Sequence, residues 1–362
     1  MKIKVILFPI AWIYGTIAAI RRKLYRKNIL YSYTPDIFTV GVGNLAVGGT
    51  GKTPHVEYIV RLLSKDYETA TLSRGYRRKT KGFVVANDYD NRQLSANIIG
   101  DEPLQFHSKF PQIKVAVDEN RAHGIQQLVK IFPSLQCVIL DDCYQHVAVN
   151  PHVKVLITEY RHPYCSDYPI PMGRLRERKS AAQFADIIIV SKCPSELTEN
   201  DCLHFTERLQ AKPFQSVFFS TMLYGNLHAL TEKAKHISVH EQSEVIVITG
   251  IAHHQVLIDH LSGKYRILHH YSFPDHHYYS AKEIQEIKKT YFSGNQTNRI
   301  IITTEKDSMR LIYGENASLI QDLPLFSIPI EPEFLFNRGE DFNRLIRKKM
   351  LILHTDSKQD LC

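Results

Sequence analysis

Residues 37–53 read IFTVGVGNLAVGGTGKT, and this stretch decides the fold. Ile37-Phe38-Thr39-Val40-Gly41-Val42 is a continuous apolar run, the pattern of a strand buried on both faces of a parallel sheet. Gly48-Gly49-Thr50-Gly51-Lys52-Thr53 follows the G-x-x-x-x-G-K-[ST] pattern of a phosphate-binding loop, with Ala46 where the first glycine would stand. Glycines let the backbone curl its N–H groups around phosphate oxygens without a Cβ clash. Residues 54–64 read as the following helix, whose N-terminus adds its dipole to the same anion. In such a loop Lys52 reaches the β- and γ-phosphates of a nucleoside triphosphate, and Thr53 ligates Mg²⁺. A plain glycine turn is the competing reading; the flanking strand and helix argue against it.

Outward from the loop, apolar runs at 70–73, 82–86, 113–117, 137–140, 153–158 and 186–191 alternate with helical segments such as 121–131. That alternation predicts an α/β fold with a parallel sheet of the P-loop NTPase type. Residues 214–224 read as an extended connector. A second series then opens at 244–250, with a helix at 255–262 and strands at 267–272 and 299–304, which predicts a second, smaller α/β domain. The expected division is an N-terminal helix (1–30), a P-loop kinase domain (31–215), a smaller domain with its extended linker (216–345) and a polar tail (346–362).

Several residues beyond the loop carry candidate chemistry. Val138-Ile139-Leu140-Asp141-Asp142 ends a buried strand in two carboxylates, which suits Mg²⁺ and its waters; a turn or cap pair is the alternative. Asp101-Glu102-Pro103 opens a helix. One of its carboxylates would serve as a general base toward a hydroxyl, although aspartate before a helix is more often an N-cap. Asp275-His276-His277 offers a histidine to tune such a base. With 18 histidines in the chain, a solvated surface pair is the competing reading, and His253-His254 and His269-His270 look no different in isolation. Arg74, Arg77, Arg78, Arg121, Arg174, Arg176 and Arg178 fall in turns after strands, where the carboxyl edge of a parallel sheet gathers phosphate ligands.

The 362 residues carry a formal net charge of +8, so an anionic partner is expected: a phosphorylated substrate, an acidic membrane surface or nucleic acid. No nucleic-acid motif or basic-aromatic stripe supports the last. The six cysteines contain no C-x-x-C pair and read as reduced thiols in a cytosolic compartment. Residues 5–20 (VILFPIAWIYGTIAAI) carry no charge and are followed by Arg21, Arg22, Lys23, Arg26 and Lys27. As a helix this run is about 24 Å long, short of the ~30 Å hydrocarbon core. A buried core helix and a signal peptide are alternatives. The favoured reading is a helix lying partly in a membrane surface, its basic flank at anionic headgroups.

Taken together, Val42-Gly43-Asn44-Leu45, the loop with Thr53-Pro54, Leu72-Ser73-Arg74-Gly75-Tyr76, Gly100-Asp101-Glu102-Pro103, Leu140-Asp141-Asp142-Cys143-Tyr144-Gln145-His146, Leu175-Arg176-Glu177, Phe273-Pro274-Asp275-His276-His277 and Thr303-Thr304-Glu305-Lys306-Asp307 resemble the tetraacyldisaccharide 4′-kinase (lipid A 4′-kinase) family. The resemblance runs from the apolar helix to about residue 310. It implies ATP and Mg²⁺ as cofactors, and transfer of the γ-phosphate to the 4′-hydroxyl of an acylated glucosamine disaccharide 1-phosphate. It also implies work at the cytoplasmic face of a bacterial inner membrane. The family's catalytic pair falls on Asp101 and His276, beside Lys52. Its nucleotide residues fall on Gly48, Gly49, Thr50, Gly51, Lys52, Thr53, Arg121 and Arg176, and its metal residues on Thr53, Glu102, Asp141, Asp142 and Glu177. Cys143 stands where the family usually has glycine, so a different local turn is expected there. A monomer that binds no nucleic acid is expected. The alternatives are a P-loop ATPase or GTPase acting on a protein partner, and a non-enzymatic basic binding protein.

Overall fold

The computed structural model describes residues 2–359 apart from 91–92, 242, 294–297 and 314–316. Among the described residues fourteen strands form two sheets. They are β1 (Phe38–Asn44), β2 (Thr69–Ser73), β3 (Val84–Val85), β4 (Lys114–Val117), β5 (Cys137–Leu140), β6 (Val153–Glu159), β7 (Ile187–Ser191), β8 (Ser216–Tyr224), β9 (His228–Ala229), β10 (Glu244–Thr249), β11 (Arg266–Ser272), β12 (Arg299–Thr304), β13 (Leu325–Ile328) and β14 (Ile330–Phe334). The large sheet runs β14-β8-β7-β6-β1-β5-β2-β4-β3, and the small one β11-β10-β12-β13-β9. In the large sheet only the edge strands β3 and β14 pair antiparallel, as does β9 in the small sheet. The continuous apolar runs are strands covered on both faces: β1, β5 and β7 are buried throughout.

Register places the chemistry. β1 lies centrally between β5 and β6, and Gly41 pairs with Leu140, so Asp141 and Asp142 leave β5 beside the loop that leaves β1. Carboxyl ends of adjacent parallel strands open into one crevice.

Two boundaries differ from the sequence expectation. The segment read as a connector is β8, whose first half pairs with β7 and whose second half pairs with β14. The small sheet is therefore an insertion between two strands of the large one. The stretch read as a polar tail begins inside a helix, Gly339–Gln359, which returns to the large core with Phe342, Ile346 and Met350 fully buried. Phe342 contacts the rings of Phe218, Phe334 and Tyr58. A mixed charged and apolar helix of this kind hides one stripe and wets the other, which composition alone reads as polar. Residues 360–362 lie outside the described residues.

The first helix, Lys2–Arg26, is not a core helix. Ala11 and Gly15 face the protein, and a Cβ on Gly15 would meet Arg178 Cγ at 3.0 Å. Phe8, Ile10, Trp12, Ile13, Ile17 and Ile20 are each more than half exposed. Among the described residues no helix is long and apolar enough to cross a membrane.

Candidate active site

The phosphate loop is braced from beneath. Gly48 and Gly51 adopt φ of +110° and +80°, the left-handed region that side chains avoid. Ser191 Oγ donates to the Thr50 carbonyl at 2.8 Å, and Asn44 Nδ2 donates to Thr50 Oγ1 at 2.7 Å. His55 Nδ1 lies 2.7 Å from the Gly51 carbonyl, so it carries the proton, and Nε2 accepts from Ser220 Oγ at 3.0 Å. Burial pushes His55 down to about 4, which keeps it neutral in this bracing role. Ser220 sits on β8, so the misread connector supports the loop. Open space surrounds the Cα atoms of Gly48 and Gly49, a cradle that side chains would fill. The helix Lys52–Leu63 begins directly at the loop, with Thr53 in its first turn. Its first N–H groups have no partners within the helix and point at whatever anion the loop holds.

Lys52 Nζ lies 3.5 Å from Asp142 Oδ1, and Arg176 Nη1 lies 2.8 Å from Asp142 Oδ2. Burial raises the Asp142 carboxyl, but these two cations outweigh it and hold the group below its ordinary range. Asp141 is the opposite case. Burial first, and then the neighbouring Glu102 and Asp142 charges, push it up to about 7 against the pull of Lys52 and Arg121. Three carboxylates, Glu102, Asp141 and Asp142, crowd here. Asp141 Oδ1 and Asn44 Oδ1 are buried without a hydrogen-bond partner among the described residues. Such orphaned acceptors fit a hard divalent cation. Among the described residues no three His, Cys, Asp or Glu side chains form a closed metal cage. Mg²⁺ needs none, because it keeps waters and takes one or two carboxylates plus phosphate oxygens. At the turn where Cys143 stands in place of glycine, the positive φ belongs to Asp142, at +46°. Cys143 packs under β1, its Sγ 2.7 Å from where a Cβ on Gly41 would sit.

Asp101 and His276, 175 residues apart, meet between the two sheets with His276 Nδ1 2.6 Å from Asp101 Oδ2. Asp101 opens the helix Asp101–Lys109 without capping it through its side chain. His276 sits at φ +61° in the loop after β11, and the ring of Tyr76 stands edge-on to it. Burial raises the Asp101 carboxyl, but hydrogen bonds from His276 and Arg310 outweigh it and bring the group below its ordinary range. His277 turns away and pairs with Glu283 at 3.0 Å.

Two of the expected site residues have other partners in the structure. Glu177 is not among the carboxylates around Asp141: Arg22 of the first helix takes both its oxygens, at 2.8 and 2.9 Å. Arg121 is buried under the strand ends, with Nη1 on the Asp118 carbonyl and Nη2 on the Asp141 carbonyl. It props the strand end that carries the aspartates. Sequence reasoning missed Arg310, which forks onto Asp101. Its one local signal was the Thr304-Glu305-Lys306-Asp307 start of the same helix, three residues upstream.

The family model described as tetraacyldisaccharide-1-P 4′-kinase matches residues 3–351. The tetraacyldisaccharide 4′-kinase of Phocaeicola vulgatus is 41% identical over 348 residues, covering 95% of this chain and 94% of the relative. That of Bacteroides thetaiotaomicron is 39% identical over 357 residues, covering 96% and 93%. Among solved structures, LpxK from Aquifex aeolicus in complex with ATP superposes with a TM-score of 0.74 at 25% identity, covering 96% of this chain and 99% of that one. With the braced loop and the paired carboxylates in place, the chain belongs to the tetraacyldisaccharide-1-P 4′-kinase family and is an ATP-dependent kinase of lipid A biosynthesis.

Proposed function

We propose that the γ-phosphate passes to the 4′-hydroxyl of a tetraacyl glucosamine disaccharide 1-phosphate in the crevice between the two sheets, with Asp101 receiving the hydroxyl proton. The observation that carries this reading is the Asp101–His276 contact, made from different sheets across the crevice. A hydrolase that uses water has no need of a base held from a second domain. The loop amides and Lys52 bind the phosphates, and Arg176 holds Asp142 in line. Thr53, Asp141, Asp142 and Glu102 are the residues that would hold Mg²⁺, which supplies charge neutralisation of the phosphates when bound. Positioning and electrostatics provide most of the rate in such transfers.

The test is transfer from γ-labelled ATP to the acylated disaccharide 1-phosphate in detergent micelles. Labelled 4′-phosphate product is expected, lost on chelation and restored by Mg²⁺. Consumption of ATP without labelled lipid would overturn the acceptor, and full activity in chelator would overturn the metal. Because Asp141 sits at about 7 without metal, protons compete with Mg²⁺ below that pH. The Mg²⁺ concentration for half-maximal activity should rise as pH falls from 8 to 6; a flat response would remove Asp141 from the metal site.

The first helix supports a place at the inner-membrane surface. Its exposed apolar face opposes the side that packs on the protein, and Lys23 and Arg26 follow in its last turn. A face of that kind buries into the headgroup boundary. Changing Trp12, Ile13 and Ile17 to serine should weaken binding to anionic-lipid vesicles by about 10-fold or more. Sedimentation with vesicles reads this, with turnover on a soluble short-chain acceptor unchanged. Equal vesicle binding by the triple variant would place the membrane contact elsewhere.

A further inference from the structure

Arg310 lies on the helix Glu305–Ile312 of the small sheet, and its side chain is fully buried. Its Nε donates to Asp101 Oδ1 at 2.9 Å and its Nη2 donates to Asp101 Oδ2, a fork on the carboxylate. Asp307 Oδ1, one turn back, receives Nη1 at 3.2 Å, and the His277 carbonyl receives it at 3.4 Å. Arg310 thus cannot rotate without abandoning four acceptors. A carboxylate offers about four lone-pair positions. Arg310 fills one on each oxygen and His276 Nδ1 fills the second on Oδ2. One position remains, on Oδ1.

We propose that Arg310 is a positioning residue for phosphate transfer: it fixes Asp101 so that a single Oδ1 lone pair faces the acceptor hydroxyl, and it does so only while the small sheet is docked on the large one. This rests on the role of Asp101 given above. The docking is built at the same place. Lys109 of the Asp101 helix bridges Glu57 and Glu305, each at 2.7 Å, and Met309 enters the large core. The remaining charged and titratable groups around Asp101 are Lys306 and Asp307 on the Arg310 helix, Asp275, His276 and Tyr278 on the loop after β11, Glu102 beside it, and Tyr76 and Arg77 on the facing turn. Arg310 is the group among them that forks onto both carboxylate oxygens.

The experiment compares wild type with Arg310→Ala, Arg310→Lys and Asp307→Asn, each checked for native thermal unfolding and ATP binding. Arg310→Ala is expected to lower kcat about 10–100-fold with KM for ATP unchanged. Added guanidinium should recover part of the rate. Arg310→Lys should still lose rate, because one ammonium cannot fork. Asp307→Asn, which loosens Arg310 without removing it, should lower kcat less. A folded Arg310→Ala with no guanidinium rescue would overturn the proposal, as would a near-normal kcat. If Asp101→Asn itself keeps full transfer, the role of Asp101 fails first and this one with it; if Asp101→Asn is inactive while Arg310→Ala is normal, this one alone fails.

Discussion

Asp101→Asn should lower the rate of phosphate transfer by about 10²–10⁴-fold, the range a positioned general base contributes. The variant keeps the size of the side chain but turns one acceptor oxygen into a donor. It then faces the donor groups of Arg310 and His276, which reach Asp101 in the native site. Asp101→Ala goes further and leaves the buried Arg310 guanidinium with Asp307, a carbonyl and the His276 ring. Stripping one partner from a buried ion pair costs about 3–5 kcal/mol, so the alanine variant should also unfold at lower temperature. The two effects separate by measurement. ATP binding by the phosphate loop should persist in Asp101→Asn, because the loop is braced by Ser191, His55 and Asn44 and not by the small sheet. KM for ATP should stay near wild type while kcat collapses. A variant with intact ATP binding, native unfolding and normal kcat would show that Asp101 takes no part in the chemistry.

Lys52→Ala should lower kcat/KM for ATP by about 10²–10³-fold or more, the loss seen when one preorganised charge is taken from a developing anion. Lys52 leads the helix at the loop and lies 3.5 Å from Asp142, poised between the carboxylates and the phosphate cradle. Unlike Asp101→Asn, this change should raise KM for ATP as well as lower kcat, because the charge meets the phosphates before and during transfer. Stability should change little, since Asp142 keeps Arg176 at 2.8 Å. Paired kinetics on the two variants would thus split nucleotide binding from acceptor activation. Normal ATP affinity in Lys52→Ala would mean that the lysine does not reach the phosphates.

The phosphate loop, the strand that feeds it and the aspartates at the end of β5 were legible in the chain because each is a local pattern. A buried strand is a run of apolar residues, and the residue after it stands at the sheet edge whatever the strand order. The apolar first helix was legible for the same reason. Which of its faces is covered was not, because Ala11 and Gly15 differ from Trp12 and Ile17 only in what packs against them. Glu177 shows the limit from the other side. It follows Arg176 directly in the chain, yet Arg176 reaches Asp142 while Glu177 is claimed by Arg22, 155 residues away. Only the path of the first helix decides what waits beside Glu177.

The sequence by itself determined a P-loop sheet, a second smaller one, and the residue types of a phosphotransfer site. Tertiary structure decided how those types combine. Because the small sheet is inserted between β8 and β14, the chain leaves the large domain and returns to it. The last helix then completes the large core, although composition reads its end as a tail. The same insertion carries His276 and Arg310 back onto Asp101, the latter across 209 residues. Periodicity records which side of an element is buried. It holds no information about which distant element does the burying, and the contacts around Asp101 are of that second kind.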